Sequence, residues 1–153
     1  MINGNFVTAF IAAAGMGKRM NAPINKQFLS IEGVPILAQT IKKIEASKYV
    51  DFILLIIKSS DLNYLSQIIS KYKINTNYKI CYGGNERQDS INNGLMNMPK
   101  STDIILTHDG ARPFVCVEKI DQAIESVFET GACTLANKVK DTIKVSYDGK
   151  NAD

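Results

Sequence analysis

Three short polar clusters in this sequence carry residue types that can act on a phosphate. The first is Ala12-Ala13-Ala14-Gly15-Met16-Gly17-Lys18-Arg19-Met20, with Lys26 a little further on. Small side chains and two glycines let backbone amides approach phosphate oxygens closely. Arg19 and Lys26 add two cations within one loop. A dinucleotide fingerprint is disfavoured, because its third glycine would fall at Met20 and Pro23 opposes a helix opening directly after the turn. No GK[ST] triplet occurs, so a Walker motif is excluded.

The second cluster is Gly83-Gly84-Asn85-Glu86-Arg87-Gln88-Asp89-Ser90, where a flexible backbone meets side chains that can read a base. Taken alone, Asn85 and Ser90 serve equally well as helix-capping residues. The third is Thr107-His108-Asp109-Gly110-Ala111-Arg112-Pro113. Asp109 offers one carboxylate oxygen to a Mg²⁺ whose remaining ligands would be water and phosphate. His108 is the only histidine, which rules out a His-rich metal site and suggests a structural role.

The elements around these clusters follow from the hydrophobic pattern. Phe6–Ala12, Phe52–Ile57 and Asp103–Thr107 are near-continuous apolar runs, as strands buried on both faces require. Tyr78–Tyr82 reads as a shorter strand. Helical spacing predicts a helix opening at Pro35 and running to about Ser47, with Leu37, Ile41 and Ile44 inward. A second helix carries Leu65, Ile68 and Ile69 behind Asp61 as its cap. A third spans Arg87 to Asn97 with Ile91, Leu95 and Met98 inward. A fourth spans Val117 to Glu129 and is ended by Gly131. Leu135 with Val139, and Ile143 with Val145, suggest two last strands before an Asp148-Gly149 turn. Strands alternating with helices predict a parallel sheet covered on both faces. Right-handed crossovers then gather the strand C-terminal ends, and all three clusters, on one edge.

At 153 residues the chain has the size of one domain, and 45% hydrophobic residues suffice for a core. Its formal charge of +3 is mild and spread along the chain, which argues against a nucleic-acid partner. No stretch is long enough to cross a bilayer and no signal peptide is apparent, so a cytoplasmic protein without membrane contact is expected. Cys81, Cys116 and Cys133 form no metal-binding spacing. Their apolar neighbours suggest buried free thiols.

The stretches AAAGMGKRM, NKQFLSIEGVPIL, GGNERQDSINNGL, HDGARPFV and VKDTIK resemble, in that order, the methylerythritol-phosphate cytidylyltransferase family of the non-mevalonate isoprenoid pathway. The resemblance implies a Rossmann-like, mostly parallel sheet of the nucleotide-diphospho-sugar transferase type. It implies a nucleotide-binding domain over residues 1–140 and the start of a projecting β-arm over 141–153, with the family continuing beyond this end. It further implies CTP and a polyol phosphate as substrates, Mg²⁺ or another divalent cation, and a homodimer. Carried onto this sequence, Ala13, Ala14, Gly15 and Gly17 would wrap CTP, while Arg19 and Lys26 would stabilise charge on the reacting phosphate. Gly84, Asn85 and Ser90 would recognise the cytosine or hold its loop, and Asp109 would bind the metal. Arg112, Asp141 and Thr142 would lie towards the sugar phosphate. One departure is Asn25, where the family usually has proline. Ribitol-phosphate cytidylyltransferase and a non-catalytic nucleotide-binding module are the rival readings.

Overall fold

The computed structural model describes residues 1–15, 24–147 and 150–151. Its centre is a four-stranded parallel sheet built from β1 (Phe6–Ala12), β4 (Val50–Ile57), β5 (Asn77–Tyr82) and β6 (Thr102–Asp109). They lie in the order β5-β4-β1-β6. The central pair is buried along most of its length because both faces of β1 and β4 are covered: Val7, Ala9, Phe10, Ile11 and Ile53 to Ile57 are all 0% exposed. Alternation divides these residues between two layers.

On one face Val7, Ala9, Ile11, Ile53, Leu55 and Ile57 meet three helices. These are α1 (Ile36–Glu45), α2 (Leu62–Tyr72) and α4 (Val117–Thr130), contributing Leu37, Ile41, Ile44, Leu65, Ile68, Ile120 and Ile124. On the other face Phe10, Leu54, Ile56 and Cys81 pack against Ile91 of α3 (Arg87–Asn97) and against Met98. Gly94 lets α3 lie close, since a Cβ there would sit 2.8 Å from the Phe10 ring. The expected architecture of parallel strands with helices on both faces is therefore present. Gly131 ends α4 at φ +73°, donating its N–H to the Val127 carbonyl at 2.8 Å.

Several local expectations are corrected. A small antiparallel hairpin, β2 (Ser30–Ile31) with β3 (Val34–Pro35), precedes α1. Its turn residues Glu32 and Gly33 both have positive φ, 52° and 77°, as tight hairpins demand. Asp61 stands at the start of α2 but makes no side-chain cap bond. Leu95 is 42% exposed, because α3 covers the sheet through Ile91 and Gly94 instead. Residues 132–147 form no strand and are exposed throughout, so the two last strands expected there are not formed. Alternating side chains mark a segment that could pair, but they do not supply a ladder partner. Cys81 is buried, whereas Cys116 and Cys133 are exposed. The Cys116 thiol donates to the Glu118 carboxylate at 2.8 Å at the head of α4, which gives it a polar partner outside the core.

Candidate active site

Beyond the strand ends, single hydrogen bonds carry the sheet's ladder into the loops. Ala13 donates to the Ile56 carbonyl at 2.7 Å, Gly83 to Ile57 at 2.8 Å and Gly110 to Ala12 at 2.8 Å. These bonds fasten the turns after β1, β5 and β6 to one edge, as the parallel topology requires. The cleft they enclose has a volume of about 470 Å³, within the usual range for a small-molecule site. Ala12 to Gly15, Lys26, Gln27 and Lys58 line one part of it. Gly84 to Arg87, Ser90, Asp109 and Ala111 line the rest.

Each wall has a local cause. Gln27 is 2% exposed and donates from Nε2 to the Ala13 carbonyl at 2.6 Å, binding the Lys26–Phe28 turn to the loop after β1. The Ser90 hydroxyl accepts from the Gly84 N–H at 3.1 Å and donates to the Glu86 carbonyl at 3.0 Å. Ser90 thus shapes the loop from behind. Glu86 and Asp89 complete a reciprocal capping box, with the Glu86 N–H donating to Asp89 Oδ2 at 3.0 Å. Thr40, buried in α1, donates to the Gly110 carbonyl at 3.0 Å and steadies the turn that carries Asp109.

Asp109 is held between two guanidinium groups. Arg87 Nη1 lies 3.0 Å from its Oδ1 and Arg112 Nε lies 2.9 Å from its Oδ2. Arg87, like Lys58, lines the cleft without having been given a role from the sequence. The signal available was its place as the first residue of the helix after the Gly83-Gly84 turn. Among the described residues no three His, Cys, Asp or Glu side chains cluster as a metal site. A single carboxylate still fits a Mg²⁺ that arrives with a polyphosphate, since that ion takes one or two carboxylates and fills its remaining positions with phosphate and water. The residues do not fit a cation held by protein alone.

Of the residues singled out in the sequence, the cleft gathers Ala13, Ala14, Gly15, Lys26, Gly84, Asn85, Ser90 and Asp109. Arg112 reaches it through Asp109. Asp141 and Thr142 lie in the exposed 132–147 segment and do not line it. Gly17 and Arg19 fall outside the described residues.

His108 sits opposite Ile11 in the β1–β6 register, and its Nδ1 is buried without a hydrogen-bond partner among the described residues. Burial lowers its pKa, while the neighbouring Asp109 partly opposes that shift. The folded state therefore resists protonation more than the unfolded chain does. This contribution is intact above the ordinary histidine pKa of about 6.5 and is lost as pH falls through the lowered folded value. Thermal melts from pH 7.5 to 5 are expected to show a falling midpoint, with a shallower fall in His108→Asn. An identical slope in that variant would remove His108 as a source of acid sensitivity.

A parallel α/β sheet with small-residue turns, Lys26 and Asp109 at its C-terminal edge defines a Rossmann-like protein of the nucleotide-diphospho-sugar transferase type. Residues 7–152 match the model of the 2-C-methyl-D-erythritol 4-phosphate cytidylyltransferase (IspD) family, and the chain belongs to that family. The enzyme of that name from Alkaliphilus metalliredigens is 42% identical over 139 residues, which is 90% of this chain and 58% of that protein. Its counterpart from Clostridium botulinum strain Langeland is 44% identical over 141 residues, 92% of this chain and 62% of that protein. The crystal structure of 4-diphosphocytidyl-2C-methyl-D-erythritol synthase from Anaerococcus prevotii superposes with a TM-score of 0.80 at 30% identity, covering 99% of this chain and 63% of that one. The chain thus spans less than two thirds of the length of these relatives. Among the described residues no helix is long and apolar enough to cross a membrane.

Proposed function

We propose that this chain carries the cytidylyl-transfer site of a 2-C-methyl-D-erythritol 4-phosphate cytidylyltransferase. A phosphate oxygen of methylerythritol phosphate attacks the α-phosphorus of CTP, a new P–O bond forms, and the bond to pyrophosphate breaks. The observation that carries this reading is one cleft joining the Ala13–Gly15 backbone, Lys26, the Gly84-Asn85 loop and Asp109. The acceptor phosphate is already anionic at neutral pH, so no general base is needed. Positioning and charge neutralisation remain, and those are the tasks that lysine and backbone amides perform well.

In this reading the backbone of Ala13 to Gly15, together with Gly17, wraps the triphosphate. Lys26 and Arg19 meet the charge that grows on the reacting phosphate. Gly84 and Asn85 face the base, while Ser90 holds their loop. Asp109 would hold a divalent cation, which when bound supplies further neutralisation of phosphate charge. Arg112, Asp141 and Thr142 belong to the acceptor side. Residues 1–140 act as the nucleotide-binding domain and 141–153 begin a projecting β-arm. Val139, Ile143, Val145 and Tyr147 are 52–91% exposed, apolar surface suited to the contact of a homodimer. The setting is cytoplasmic, where CTP is available.

The test is pyrophosphate release by the full-length protein with CTP, Mg²⁺ and either methylerythritol phosphate or ribitol phosphate. Release with methylerythritol phosphate is expected, with CTP outcompeting UTP, ATP and GTP. Release with ribitol phosphate alone would reassign the acceptor, and CTP binding without release would make the chain a binding module. Asp109→Asn should weaken Mg²⁺-dependent CTP binding by about tenfold or more, because a charge-assisted contact is worth about 1.5–3 kcal/mol. Equal metal dependence in wild type and variant would leave Asp109 a purely structural residue.

A further inference from the structure

We infer that Asn25 and Asp61 form a clamp that positions Lys26, so that this pair governs turnover and not CTP affinity. The inference rests on the proposed role of the cleft. The Asn25 side-chain amide donates to both oxygens of Asp61, at 3.0 and 2.8 Å. Asp61 is only 5% exposed. It closes a 3₁₀ turn (Ser59–Asp61) that runs directly into α2, so its backbone, at φ −95° and ψ 0°, is not in the extended conformation that a capping side chain uses. No side-chain cap bond forms, and its oxygens are turned towards Asn25 and, at 3.3 Å, the Ser60 hydroxyl. A buried carboxylate whose strongest contacts reach a residue 36 positions away is a tether.

The tether ends one residue before Lys26. The Asn25 carbonyl accepts from the Phe28 N–H at 2.9 Å, closing the turn that carries Lys26. On the far side of Lys26, Gln27 is fixed to Ala13 at 2.6 Å, and the Phe28 ring stacks on Tyr64 of α2 at 5.2 Å. Lys26 itself is exposed on the cleft wall. Its ammonium rides on a flexible four-carbon stem, so its placement depends on where the backbone is held. A shift of about 1 Å in a reacting constellation can cost about 100-fold in rate. Asn25 and Asp61 do not line the cleft, so they act through Lys26 as positioning residues.

The experiment compares Asn25→Ala, Asp61→Ala, their double variant and Asp61→Asn in the full-length protein. Turnover with CTP and methylerythritol phosphate is read beside calorimetric CTP binding and thermal midpoints. Each alanine variant should lose roughly 10- to 100-fold in kcat with CTP affinity within about threefold. The double variant should be no slower than the slower single, since one interaction cannot be removed twice. Asp61→Asn keeps an acceptor for Asn25 and should recover most of the rate, which also answers the case in which Asp61→Ala does not fold. Unchanged kcat in Asn25→Ala, or single losses that multiply in the double variant, would overturn the clamp while leaving the proposed function standing. No turnover in the wild type would overturn both.

Discussion

Replacing Lys26 with alanine should lower kcat by about 100-fold or more while CTP affinity falls only a few-fold. Lys26 projects into the cleft from the Lys26–Phe28 turn and makes no ion pair with a described residue. Asp109, a carboxylate lining the same cleft, is already paired with Arg87 and Arg112. The ammonium is therefore available to substrate. In the proposed reading ground-state CTP would be held through many contacts, including the backbone of Ala13 to Gly15, so losing one cation should remove a small share of its affinity. The transition state gathers extra negative charge at one phosphate, where a preorganised donor is worth about 2.7–4 kcal/mol. Arg19→Ala should behave similarly if it shares that role. Steady-state kinetics paired with calorimetric CTP binding separate the two effects. An unchanged kcat in both variants would remove these cations from the reaction.

The contrast between Lys26 and Arg87 shows which parts of this protein were legible in its sequence. The strands β1 and β4 were readable because burial on both faces demands continuous apolar runs; β6, expected to be buried in the same way, is instead an edge strand with Asp103, Ile105 and Thr107 exposed. The parallel topology then forced three loops to one edge, so Lys26, Asn85 and Asp109 could be grouped without coordinates. Arg87 stands in the same cluster as Asn85, but its pairing with Asp109 depends on how α3 lies across the sheet, and no local pattern records that angle. Asp61 illustrates the same limit. Its position before α2 was evident, but its bond to Asn25 is tertiary, and the 3₁₀ turn that ends at Asp61 takes its backbone out of capping conformation. The β2–β3 hairpin was missed because two-residue strands show no period, although Glu32-Gly33 between Ile31 and Val34 was a usable turn signal. The alternation over Leu135 to Val145 was real but did not specify a partner, and the structure leaves that segment unpaired.

Adding one methyl group at Gly83 should weaken CTP binding by about 10- to 100-fold without contacting CTP. A Cβ built there would lie 2.4 Å from the Ala14 Cβ and 2.8 Å from the Ser90 hydroxyl oxygen. Both distances are too short to hold, so the loop after β5 and the loop after β1 must separate. Neither can yield cheaply. Gly83 is tied to Ile57 at 2.8 Å, and Ala13, next to Ala14, is tied to Ile56 at 2.7 Å and to Gln27 at 2.6 Å. Moving Ser90 would also release the Gly84 N–H and the Glu86 carbonyl that its hydroxyl holds. Overpacking of this kind costs about 1–3 kcal/mol. Because the strain falls on the two walls of the cleft, most of it should appear as lost affinity, at about 1.4 kcal/mol per tenfold. The compensating change is Ala14→Gly, which removes the nearer clash and should restore part of the binding in the Gly83→Ala background. Calorimetric titration of CTP into wild type, Gly83→Ala and the double variant reads this directly. Wild-type affinity in Gly83→Ala would show that the cleft does not depend on the contact between these two loops.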